Sequence, residues 1–322
     1  MDFYKDTELS SSTKTLFNIK IQKWITFMPD DKKDILSIFM NPDDSVKHLL
    51  DKLDNKNNSN LHGYYSAVIS FLNHNTFLPL LINNLSLQTI KEKWYKLRED
   101  NEKPIIDRRL QNKPTVIQEK KGGTKLTFAD IVKRRDELKF GSIERLLLAF
   151  YTYIPPVRAD YFATEIINFR DKPTEQNYIR RITSDISKCV LRDFKTKKAF
   201  TKIENMIPEP LQNELNESLR INPRNYLFLS ANGKPFTRNA FSVWSKRLLS
   251  KVFDTEFTLV MIRHLYISSL NFNKLTTEQL IEIGNKMGHS IHTQRDYNWV
   301  DNADSDKSSV DEDDTKNVII EG

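Results

Sequence analysis

One cysteine, Cys189, stands in 322 residues, so neither an internal disulfide nor a cysteine-built zinc site can form within the chain. A lone thiol suits a reducing, intracellular compartment. Apolar runs are short as well: none reaches the roughly 18 residues that a membrane helix requires. The N-terminal Met1-Asp2-Phe3-Tyr4-Lys5-Asp6 has no charged-then-apolar pattern, so no secretory signal is expected there. No acidic cluster suited to a divalent metal occurs near the chemically suggestive residues, and Asp311-Glu312-Asp313-Asp314 lies far along the tail. No internal repeat is present.

What the chain does have is basic charge. Eight acidic residues and only Lys307 and Lys316 fall in 301–322, which leaves 47 of the 49 basic and 35 of the 43 acidic residues in the first 300. Such an excess attracts a polyanion, most commonly nucleic acid, or else it decorates a solvated lysine-rich surface.

Residues 1–100 read as a helical domain. Apolar residues recur three and four apart in Leu16-Ile19-Trp24-Phe27, Ile35-Phe39 and Tyr65-Val68-Ile69-Leu72, with starts expected near Asp43-Asp44-Ser45 and Asn60. Lys91, Lys93, Lys96 and Arg98 form a stripe that suits a DNA backbone or simply water. Pro, Gly and charge without periodicity mark 101–126 as a basic linker. From Thr127 to Tyr153 the pattern is helical again and ends at Pro155-Pro156. Short strands are expected between Tyr178 and Ile207, a helix over Leu211–Leu219, and a further strand at Tyr226–Leu229. Helices resume up to Tyr297, and 301–322 is an acidic, serine-containing tail for which disorder is the default. The expected fold is mainly α with a small antiparallel sheet, a helical domain followed by an α+β domain over 127–300.

Several residues suggest chemistry. Arg158 follows Pro155-Pro156, which would set it near a helix N-terminus where anions bind; pairing with Asp160 or Glu165 is the plain alternative. Arg263 sits in the apolar stretch Phe257–Ile267, where an unpaired guanidinium is costly, so it needs a carboxylate or a bound anion. Lys195 and Lys198 stand where a hairpin would turn, a place from which an ammonium can protonate a leaving oxygen. Thr276 and Gln279 make a capping box, Gly288 a helix stop, and His289 follows it; His264 and His292 compete for the same role. Tyr297, eight positions after His289, is a phenol that could attack a phosphodiester and remain attached to the product.

Taken in order, Arg158, a hairpin lysine, Arg263-His264, Gly288-His289 and Tyr297 resemble the catalytic set of the tyrosine recombinases, the phage-integrase family. Pro155-Pro156-x-Arg158-x-Asp160-Tyr161 and Lys195-Thr196-x-Lys198 are most similar to the divergent integrases of large DNA viruses, virophages and related mobile elements. The resemblance implies a core-binding domain over 1–100, a catalytic domain over 127–300, and metal-independent cleavage and rejoining of DNA through a 3′-phosphotyrosyl intermediate. It assigns Arg158 and Arg263 to the scissile phosphate, His289 to phosphate contact or proton transfer, Lys195 (with Lys198 as alternative) to the general acid, and Tyr297 to nucleophilic attack. His264 and His292 would be auxiliary. No cofactor or metal is implied; the partners are double-stranded DNA and further copies of the chain, as a tetramer, at DNA inside a cell and away from any membrane. Two positions depart from the family pattern: Val260 stands where a His or Lys donor is common, and Tyr161 where an acid is common. A type IB topoisomerase would use nearly the same residues, and a DNA-binding protein on a decayed recombinase fold would retain them without cutting.

Overall fold

The computed structural model describes residues 2–5, 7–74, 83–120, 122, 125–172 and 175–299, with the side chains of Asn84, Ile117, Arg295 and Asp296 excepted. The acidic tail lies outside the described residues. The chain divides into two compact units, Met1–Arg108 and Arg109–Gly322, each with its own core.

Among the described residues the first unit is all helical: α1 (Ser11–Phe27), α2 (Ile35–Met40), α3 (Pro42–Lys52), α4 (Asn58–His74) and α5 (Asn84–Leu110). Starts follow local chemistry. Ser10 accepts from the Thr13 amide, and α3 opens with Pro42 in its first turn, followed by Asp43 and Asp44 facing the positive end of the helix. The α4 start falls two residues ahead of Asn60. Trp24 and Trp94 fill the centre edge to face, 5.6 Å between ring centroids. Their buried indole N–H groups donate to the carbonyls of Ser45 and Phe39, which removes the cost of hiding them. The stretch expected as linker is helical over its first ten residues, because α5 continues through Pro104 to Leu110, and a short α6 (Val116–Lys120) follows.

The second unit begins with α7 (Phe128–Glu137), started by a Thr127–Asp130 capping box, and α8 (Ile143–Thr152), capped by Ser142. Every residue from Leu146 to Tyr151 is buried. Pro155-Pro156 ends this helical run as expected. Arg158, however, stands in a turn that leads into β1 (Glu165–Asn168), not at a helix start, because the chain reverses through Ala163 in the left-handed region.

The sheet is mixed where an antiparallel one was expected. Its order is β1-β2-β3-β4, with β2 (Tyr178–Arg181), β3 (Ser187–Leu191) and β4 (Ile203–Met206) antiparallel in sequence and β1 parallel to β2. A parallel pair normally needs a long crossover, but four-residue strands leave so little length to retrace that the chain between Asn168 and Tyr178 suffices. Tyr226–Leu229 forms isolated bridges to Glu165 and Pro235 and no strand. Then come α9 (Glu209–Ile221), α10 (Arg238–Phe253), α11 (Leu259–Ser268), α12 (Thr277–Met287) and α13 (Ile291–Tyr297). Among the described residues no helix is long and apolar enough to cross a membrane.

Candidate active site

The C-terminal end of α12 organises the site. Thr276 and Gln279 exchange the two capping-box bonds at its start, and Gly288 stops it at φ +67°. Gly288 is required twice over: the left-handed backbone disfavours a side chain, and a Cβ there would meet Ile203 Cδ1 of β4 at 2.7 Å. The last carbonyls of a helix carry its negative dipole end and lack helical partners. Here they face guanidiniums. Met287 O accepts from Arg263 Nη1 at 3.1 Å, and Gly288 O accepts from Arg158 Nη1 at 3.4 Å and from the Thr196 hydroxyl at 2.7 Å. The turn between β3 and β4 is thereby tied to the same helix end.

Arg263 projects from α11 and is wholly buried. Among the described residues it has no carboxylate within ion-pair distance. Its Nη1 also donates to Pro156 O at 2.6 Å, Nη2 donates to His289 Nδ1 at 2.9 Å, and Nε has no partner. Of the two needs foreseen for it, a paired acid or an anion, the acid is absent. Arg158 likewise has no carboxylate within ion-pair distance among the described residues, because Asp160 turns to Arg238 at 3.6 Å. Burial lifts the Asp160 pKa, and the charges of Arg238, Arg158 and Arg263 only partly oppose it.

His289 is 2% exposed. A guanidinium can only donate, so Nδ1 of His289 is the acceptor and its proton sits on Nε2, which is buried and has no partner among the described residues. Burial, reinforced by the charges of Arg263 and Arg158, pulls its pKa down to about 3, and the ring is neutral at ordinary pH. Its ring centroid is 5.5 Å from that of Tyr297.

Tyr297 ends α13 with its ring 4.9 Å from the Arg263 guanidinium carbon. Burial pushes the phenol pKa up, but the charges of Arg263 and Arg158 and hydrogen bonds from both prevail, holding it below its ordinary 10. His264 is stacked on Trp299, centroids 4.2 Å apart, with Tyr297 on it at 4.5 Å. Its Nδ1 donates to Tyr297 O at 2.9 Å, and burial lowers its pKa to about 4. His264 therefore holds the backbone of Tyr297.

The structure thus brings together Arg158, Arg263, His289 and Tyr297. Lys195 and Lys198 are exposed on the turn after β3, and Lys197 pairs with Asp193 at 3.0 Å. His292 is exposed on α13, Val260 is 42% exposed, and Tyr161 is buried against Phe150 and Tyr151. Sequence reasoning did not single out Asn177 or Arg238 and gave Thr196 no role beyond its place in the lysine motif, because their contacts are with partners distant in the chain. Among the described residues no group of three His, Cys, Asp or Glu side chains could hold a metal ion.

No protein-family model matches the chain, and no curated protein matches it in sequence. Among solved structures it is similar to that of XerA recombinase, at 15% identity and a TM-score of 0.40, over 91% of this chain and 97% of that one. It is also similar to XerH site-specific recombinase bound to its difH substrate in a pre-cleavage complex, at 13% identity and a TM-score of 0.39, over 94% and 97% of the two chains.

Proposed function

We propose that the protein is a site-specific DNA recombinase that cuts and rejoins strands through Tyr297. One observation carries the reading: a fully buried guanidinium, Arg263, faces a phenol, and among the described residues no carboxylate lies within ion-pair distance of it. Leaving a buried charge unpaired costs several kcal/mol, so such an arrangement is retained where an anion is to be bound. A phosphodiester satisfies both arginines at once, since each offers parallel donors to its oxygens.

The chemistry follows from the groups. Tyr297, its acidity raised by the two arginines, gives up its proton to solvent water and its oxygen attacks phosphorus. Charge gathers on the non-bridging oxygens as the P–O5′ bond breaks, and Arg158, Arg263 and the Nε2–H of His289 stabilise it. With Nδ1 already occupied, His289 serves as a donor and not as a proton carrier. The departing 5′ oxygen takes a proton from Lys195; Lys198 is the alternative. The products are a 3′-phosphotyrosyl bond and a free 5′-hydroxyl, and attack by that hydroxyl or one from a second duplex reverses the step without ATP. Double-stranded DNA is the substrate and a tetramer on two sites the working assembly, and the chain is kin to the integrases of large DNA viruses, virophages and mobile elements that the Pro155–Tyr161 and Lys195–Lys198 strings resemble.

Covalent capture tests this. The protein is incubated with a pool of randomised nicked duplexes, and strands that stay attached through denaturation are sequenced. Wild type should yield an adduct at a recurrent sequence and Tyr297→Phe none. If neither yields an adduct while both shift DNA in a gel, the enzymatic reading is wrong and a DNA-binding protein on this fold remains. Site-independent relaxation of supercoiled plasmid would indicate a topoisomerase instead.

A further inference from the structure

Asn177, one residue ahead of β2, is 1% exposed, and its side-chain amide has every hydrogen bond filled. Nδ2 donates to Asp160 O at 2.7 Å and to Asp193 O at 2.9 Å, while Oδ1 accepts from the backbone N–H groups of Arg192 and Asp193, both at 2.8 Å. Two of these bonds would pin a turn; four fix the relative position of two segments. One segment carries Arg158 two residues before Asp160, and the other carries Lys195 two residues after Asp193.

Two further contacts make the weld tight. Phe194, between the amide's last partner and the lysine, is buried in the core. Arg238 spans the same pair of segments, 3.6 Å from Asp160 and 3.5 Å from Asp193. The Lys195 side chain itself is exposed. Its reach toward any group bound at Arg158 is therefore set by where its backbone is held.

We infer that Asn177 is a positioning residue for proton delivery: it sets the lysine turn against the Arg158 segment so that the ammonium meets the leaving oxygen. The inference rests on the proposed strand-cleavage reaction and concerns only its leaving-group step. The P–O5′ bond breaks, the proton passes from Lys195 Nζ to O5′, and the lysine is left neutral until it is reprotonated from solvent.

A leaving sulfur separates this role from mere structural support. A thiolate departs without the proton an alkoxide needs, thiols being acidic near pH about 8.5. Adduct formation is measured for wild type, Lys195→Ala, Asn177→Ala and Asn177→Asp on the captured duplex sequence, with oxygen or sulfur at the 5′-bridging position. The aspartate keeps both acceptor contacts and loses the donors to the Asp160 and Asp193 carbonyls. The ratio of the sulfur to the oxygen rate, taken on one protein sample, cancels any difference in folded fraction. Losing a general acid slows the oxygen reaction by roughly 100-fold or more. The ratio should therefore rise strongly in Lys195→Ala and in both Asn177 variants, with duplex affinity close to wild type. A ratio equal to wild type in the Asn177 variants overturns the inference while leaving the cleavage reading intact. Absence of adduct from wild type on either substrate overturns both.

Discussion

Two histidines in the site are neutral for the same reason. Burial, with the arginine charges adding to it, takes His289 to about 3, and burial takes His264 to about 4, whereas an unfolded histidine titrates near about 6.5. Between those values the unfolded chain binds protons that the native chain does not, so native stability falls as pH drops below about 7. Asp160 works in the opposite sense, because burial raises its pKa and the native state binds its proton more readily. Urea denaturation at pH 7, 6 and 5 should therefore show a steady loss of stability, and His264→Phe should flatten that slope. A slope identical to wild type in the variant would contradict the burial argument. Tyr297 adds a rise at the alkaline end, since its depressed pKa lets the native state lose a proton before the unfolded one does.

The end of α12 concentrates the demands made on secondary structure. Gly288→Ala would place a methyl group 2.7 Å from Ile203 Cδ1 and force a left-handed residue to carry a side chain. A left-handed alanine costs roughly 1–2 kcal/mol before any clash is counted. The larger effect should be on activity, because the carbonyls of Met287 and Gly288 hold both arginines and Thr196. Adduct formation should drop well beyond what the loss of folded protein, followed by circular dichroism, explains. Much of this element is legible in sequence: a capping box, an apolar face and a terminal glycine are local signals. Arg263 is legible for a similar reason, as a charge inside an apolar helix. Other parts are not. Asn177 reaches partners 15 to 17 residues away, and no periodicity announces that. Four-residue β1 is too short to register as a strand, and its parallel pairing turned an expected antiparallel sheet into a mixed one. The turn holding Arg158 was mistaken for a helix start because Pro155-Pro156 fits either.

At the scale of the molecule the charge is unevenly shared. Residues 301–322 carry eight acids and two lysines, so a chain ending at Val300 changes from a net +6 to +12. Such a chain should bind duplex DNA more tightly at about 50 mM salt, and the advantage should shrink at about 200 mM as counterions screen it. Fluorescence anisotropy on a labelled duplex measures both; equal affinity at low salt would show that the tail does not compete with DNA. The four tryptophans divide evenly as well. Trp24 and Trp94 lie in the core of the first unit, while Trp244 and Trp299 belong to the second. Trp299 is stacked on His264, and His264 holds the carbonyl of Tyr297. Any swing of the nucleophile onto a strand must therefore disturb that stack. The protein carries its own optical probe, in which indole emission from one ring reports the departure of the phenol two residues away.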